Sequence, residues 1–120
     1  MTKRILVVDD DSMYIELIAN LLAPRNVTII PASDGAAALK ALESQPVDLI
    51  ISDFNMPIMD GKALHQTVSD HSRFNNIPFV FITGALEPMM RSYAGRFSGL
   101  TIILKTELVN KLGAFVDKWL

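Results

Sequence analysis

The stretch IISDFNMPIMDG, residues 50–61, opens as an apolar β-type run, sets an ionisable Asp53 at its end, and passes into Asn55, Pro57, Asp60 and Gly61, all turn formers. Four further runs share the character of its opening: ILVV at 5–8, VTII at 27–30, FVFI at 79–82 and LTIIL at 100–104, with LIIS at 49–52 third in order. Each is continuous rather than alternating, the pattern of strands covered on both faces by helices. A strand of that kind gains nothing in packing from a terminal carboxylate. Asp53 either opens the following turn or is mounted there for chemistry.

The segments between the runs carry helical spacing. Tyr14, Leu17, Ile18, Leu21 and Leu22 form one stripe, Ala38, Leu39 and Leu42 a second, Leu64 and Val68 a third, and Leu108, Leu112, Val116 and Trp119 the last. Asp11 or Ser12, Asp34, Asp60 and Thr106 suit the N-caps of these helices. Pro88 suits the first turn of a fourth helix, which Gly95 and Gly99 keep short. The alternation predicts an α/β fold: a (βα)5 chain forming a doubly wound five-stranded parallel sheet, most simply in the flavodoxin-like order 2-1-3-4-5. Residues 1–120 form one domain in this reading, since 120 residues, half of them hydrophobic, suffice for one core and not two.

Composition narrows the function. Eleven basic and 13 acidic residues leave a net charge of −2, so no basic field favours direct nucleic-acid binding or an anionic membrane. The absence of cysteine excludes disulfides and thiolate metal sites and suits a reducing compartment, with the cytoplasm as the expected location. The apolar run near the N-terminus, Ile5 to Val8, is too short for a signal peptide. No segment approaches the roughly 20 apolar residues that insertion into a membrane requires.

Ligands of such sheets bind beyond the carboxyl ends of the strands, at the switch point between the first and third. At those ends the sequence places Asp9, Asp10 and Asp11, then Asp53, Thr83 and Lys105, while the second strand ends in the inert and remote Pro31. Carboxylates gathered there repel by about 1 kcal/mol per pair at 4 Å in water and about 4 kcal/mol at an effective dielectric of 20. A cation should offset this, and hard carboxylate oxygens favour Mg²⁺. With Lys105 as a second positive charge and a hydroxyl nearby, the edge is equipped to receive a phosphoryl group on Asp53. Singly, each residue has a structural reading: aspartates cap helices, threonine is common in strands, and lysine ends solvated ones. Those readings leave their shared edge unexplained.

VVDDDS, IISDFNMPIMDG, FITGA and the late Lys105 together resemble the CheY-like receiver domains of two-component response regulators, across essentially the whole chain. The resemblance implies Asp53 as phosphoacceptor. It implies Mg²⁺ bound by Asp10 and Asp53 directly, by Asp9 largely through water, and by the main-chain carbonyl of Asn55. Asp11 is then a helix cap, Thr83 and Lys105 bind phosphoryl oxygens, and Gly84 keeps access open. A sensor histidine kinase or histidine phosphotransfer protein supplies the group, and a downstream protein target reads a changed surface on the fourth helix, fifth strand and fifth helix. In this resemblance the domain is not an enzyme acting on other substrates; it catalyses its own phosphorylation and dephosphorylation.

Two positions depart from the family pattern. Ile102 stands where many receivers carry a switching Tyr or Phe, and Thr106 follows Lys105 where proline after a cis bond is usual. A cis bond before a non-proline residue costs roughly 2.5–4 kcal/mol, so either that cost is borne or the loop differs. These departures motivate a competing reading as a phosphorylation-independent interaction module. A third, a small phosphatase of the haloacid dehalogenase type, rests on the D-x-D of Asp9 and Asp11 but meets Met13 where that family expects Thr or Val. Asn55 and Ala85 occupy positions that tune dephosphorylation in the family. Met89, Tyr93 and Phe97 form a stripe suited to core packing or to a partner, and His65 and His71 read as surface positions without metal-ligand spacing.

Overall fold

A computed structural model of the chain describes residues 2–56, 59–85, 87–97 and 100–120. Its elements run β1 (Lys3–Val8), α1 (Ser12–Leu22), β2 (Val27–Ala32), α2 (Gly35–Ser44), β3 (Leu49–Asp53), α3 (Gly61–Asp70), β4 (Phe79–Thr83), α4 (Pro88–Ala94), β5 (Thr101–Leu104) and α5 (Leu108–Trp119). The strands form one parallel sheet in the order β2-β1-β3-β4-β5, as the alternation predicts. Pro31 does not end the second strand, which continues through Ala32. β2 is an edge strand, where a missing N–H is tolerated. Pro57 and Gly99 lie outside the described residues.

Alternation along each strand splits the apolar side chains between two cores. Ile5, Val7, Leu49, Ile51, Val80, Ile82 and Ile103 pack on one face against Ile18 and Leu22 of α1 and Leu108, Leu112 and Val116 of α5. Leu6, Val8, Ile50, Phe79 and Phe81 pack on the other against α2, α3 and α4. The central strands β3 and β4 are buried along their whole length, which is why they read as unbroken apolar runs.

Side chains of Asp11, Asp34 and Asp60 accept N–H bonds from Met13, Ala37 and Ala63, satisfying donors that open helices leave free. Thr106 is not a cap. It lies inside a 3₁₀ turn, Lys105–Glu107, that carries β5 straight into α5, whose N-cap is Glu107 with no side-chain bond. Pro88 opens α4 at its first turn and Gly95 closes it. The expected stripe is not all on that helix: Tyr93 is buried and Met89 exposed on α4, while Phe97 lies beyond its end and packs on the core's edge.

His65 is also not at the surface. It is 6% exposed on α3, with its ring edge-on to Phe79, Tyr93 and Phe97, and its Nδ1 lies 2.6 Å from the Tyr93 hydroxyl. A helical position cannot declare burial by spacing when its residue type is amphipathic, and here four aromatic neighbours make the site. The bond ties α3 to α4, a helix of seven residues that lacks a side-chain cap. Burial lowers the His65 pKa, so the imidazole folds neutral. Its contribution is therefore complete above the ordinary histidine value and is lost as pH falls through the depressed folded pKa, because the unfolded chain takes up the proton first. His65→Leu, which leaves the Tyr93 hydroxyl without this partner, should cost about 1–3 kcal/mol near pH 8 in urea unfolding, and the gap to wild type should narrow as pH falls from 7.5 to about 5.

Candidate functional site

Register brings the polar ends together. Val8 pairs with Ser52 between β1 and β3, so Asp9 and Asp53, one residue further along each, are neighbours. Thr83 pairs with Leu104 between β4 and β5, which sets Lys105 just beyond the sheet at the same end. Counted by alternation from Val7, Ile51 and Ile103, the side chains of Asp9, Asp53 and Lys105 fall on the α1/α5 face. Thr83 has the parity of Phe81 and falls on the other.

Carboxylate oxygens of Asp9, Asp10 and Asp53 all lie within 4.8 Å of one another. Lys105 Nζ stands 3.0 Å from Asp9 Oδ2 and 3.4 Å from Asp53 Oδ2. Two of the three carboxylates, Asp9 and Asp53, thus share one ammonium. Burial raises the Asp53 pKa, the charge of Asp9 raises it further, and Lys105 offsets this only in part. Burial likewise raises that of Asp9, against the pull of the Asp11 N–H and Lys105. Lys105 responds in the complementary sense: burial would lower its pKa, but the two carboxylates outweigh burial and hold it above the ordinary lysine value. Asp9 Oδ1 accepts the Asp11 N–H at 2.9 Å, while the buried Oδ2, although near Lys105, has no partner in hydrogen-bonding geometry among the described residues. Three clustered carboxylates of hard oxygens with a single lysine between two of them fit a small divalent cation.

The remaining expected residues are placed less uniformly. Thr83 is buried and its hydroxyl donates to the Ala85 carbonyl at 3.1 Å, within its own loop. Asn55 is exposed in the loop after β3. Asp11 caps α1 and takes no part in the cluster, so the D-x-D pairing with Asp9 is not formed. A Cβ on Gly84 would meet nothing within 4 Å, leaving open space there. Gly61 is different, because a Cβ there would run into the Asp53 carbonyl oxygen and approach Phe54 Cα at 2.9 Å. Its N–H donates to the Phe54 carbonyl at 2.9 Å, folding the loop back on the strand end that carries Asp53. Read from sequence as a turn former, Gly61 is required by close approach.

One residue at the site was hidden in an apolar stripe. The Tyr14 ring, in the first turn of α1, has Lys105 Nζ 3.9 Å from its centroid. Its spacing marks a core position and carries no sign of the lysine, 91 residues away in sequence.

Known proteins share this fold. The response regulator receiver domain family matches residues 5–117, and the chain belongs to that family. It is 32% identical over 120 residues to the CAI-1 autoinducer sensor kinase/phosphatase CqsS of Vibrio cholerae, covering 95% of this chain but 17% of that protein. It is 28% identical over 115 residues to the probable chemotaxis protein CheY of Rhizobium etli, covering 95% of this chain and 89% of that one. Among solved structures, chemotaxis protein CheY4 of Vibrio cholerae aligns over 100% of both chains with a TM-score of 0.89 at 23% identity, a likeness of fold.

Two outcomes test the site's energetics. Asp53→Asn should stabilise the protein at pH 7 without divalent ions by about 1 kcal/mol, seen as a rise in Tm of about 4 °C, because a buried charge facing Asp9 is removed. Gly61→Ala should destabilise by about 1–3 kcal/mol in urea unfolding, because the loop must move off the Asp53 carbonyl.

Proposed function

We propose that the protein is a phosphoacceptor receiver of a two-component phosphorelay, with Asp53 taking a phosphoryl group from the phosphohistidine of a sensor histidine kinase or histidine phosphotransfer protein. The observation that carries this reading is Lys105 poised between Asp9 and Asp53 in a cluster still short of positive charge. Asp9, Asp10, Asp53 and the main-chain carbonyl of Asn55 would hold Mg²⁺, and the close grouping of the three carboxylates supports the fit. Bound there, Mg²⁺ supplies charge neutralisation at the phosphoryl oxygens.

The chain's own groups do the rest. An Asp53 carboxylate oxygen attacks phosphorus as the donor's P–N bond breaks, and the bonding pair leaves with the nitrogen. Rigid, fully buried β3 holds the nucleophile still. Lys105 exchanges part of its contact with the carboxylates for a phosphoryl oxygen. The Thr83 hydroxyl leaves the Ala85 carbonyl and turns toward the same group, since its side chain begins on the opposite face of the sheet. That rotation changes the packing beneath α4, and a downstream protein target reads the α4/β5/α5 face. Hydrolysis by water at the same site returns the carboxylate, so the domain limits its own signal. No helix among the described residues is long and apolar enough to cross a membrane.

Incubation with Mg²⁺ and phosphoramidate or acetyl phosphate should add one phosphoryl mass to the wild type and none to Asp53→Asn. Failure with both donors and with a cognate kinase, together with partner binding indifferent to Asp53→Ala, would instead establish a phosphorylation-independent module. Mg²⁺ at about a hundred times its Kd should stabilise the wild type by about 2.7 kcal/mol, and chelation should reverse the gain.

A further inference from the structure

We propose that Tyr14 is a positioning residue for Lys105, its ring face holding the ammonium where it can serve the phosphoryl group; the inference rests on the function proposed above. Lysine is a compact charge on a flexible stem, and nothing in its backbone position fixes its head. Lys105 lies one residue past β5, at the start of a 3₁₀ turn rather than in the ladder. Two carboxylates compete for it, and the nearer, Asp9 at 3.0 Å, is also the more buried. Attraction alone would draw the head toward Asp9 and away from the acceptor.

The third contact is the Tyr14 ring, with Nζ 3.9 Å from its centroid, well inside the range of a cation–π interaction. Tyr14 packs against the α1/α5 core, so the ring is a fixed surface rather than a mobile lid. Together the ring and the carboxylates leave the Lys105 side chain only 12% exposed, which keeps water from competing for its donors. The Tyr14 hydroxyl makes no hydrogen bond among the described residues, so the ring face, not the phenol, carries the role. A flat π surface also tolerates sliding. The ammonium can shift from the carboxylates toward a phosphoryl oxygen without leaving it, as the Asp53 O–P bond forms and the donor's P–N bond breaks.

The test compares the wild type, Tyr14→Phe and Tyr14→Leu as full chains, labelled with phosphoramidate at saturating Mg²⁺; ammonia is the leaving group. Tyr14→Leu should be phosphorylated about fivefold more slowly, and Tyr14→Phe should stay within about twofold of wild type. In NMR spectra the Lys105 ε-methylene protons should be shifted upfield by the ring in wild type and Tyr14→Phe and lie at ordinary lysine values in Tyr14→Leu. Equal rates in all three proteins, a Tyr14→Phe loss matching that of Tyr14→Leu, or ordinary lysine shifts in the wild type would overturn the inference. The last readout stands even if Tyr14→Leu fails to fold. A wild type that accepts no phosphoryl group would defeat the underlying function, and would be recognised by the absence of labelled product rather than by differences among variants.

Discussion

Three carboxylates gather at the carboxyl end of the sheet with one ammonium between two of them, and the rest of the fold is arranged to hold them there. Burial raises the pKa of both Asp9 and Asp53, so ionising them at neutral pH works against folding. Such a cluster persists only on a frame that is stable without it. The frame is a sheet whose central strands are buried on both faces, with a separate apolar core on each side. Two ionised carboxylates against one lysine leave the buried cluster short of positive charge.

The polar strand ends divide between the two faces of the sheet. Asp9, Asp53 and Lys105 share the α1/α5 face with Tyr14, whereas Thr83 shares the other with Ile102, Phe81 and the aromatic cluster around His65. Ile102 pairs in register with Phe81 and packs at the edge of that cluster, so β5 supplies none of the aromatic bulk on this side among the described residues. Asp53 and α4 thus lie on opposite faces of the sheet. The His65–Tyr93 bond then joins α4 to α3, giving a short helix without a side-chain cap a specific tertiary anchor.

Much of this was legible. Continuous apolar runs announced strands buried on both sides, and Asp11, Asp34 and Asp60 announced helix starts because a short carboxylate in front of an amphipathic stretch has one local use. The two misreadings have different causes. His65 is of an amphipathic type that serves equally well at the surface and in the interior, whereas Thr106 stays exposed inside a 3₁₀ turn that moves the start of α5 to Leu108. Gly61 and Tyr14 were placed in the right elements for incomplete reasons, as a turn former and a core position, because a backbone carbonyl and a distant lysine leave no trace in local spacing.

Sequence alone determined the α/β order, the parallel sheet and the set of polar residues at its strand ends, since these follow from local periodicity and from chain connectivity. Tertiary structure alone decided which of those residues face one another. A strand side chain's face depends on register and parity, and it is the pairing of Val8 with Ser52 and of Thr83 with Leu104 that sets Asp9 and Asp53 beside Lys105 and leaves Thr83 across the sheet. The length of a strand can be read one residue at a time; the meeting of three strand ends under the first turn of α1 requires that all of them be in place.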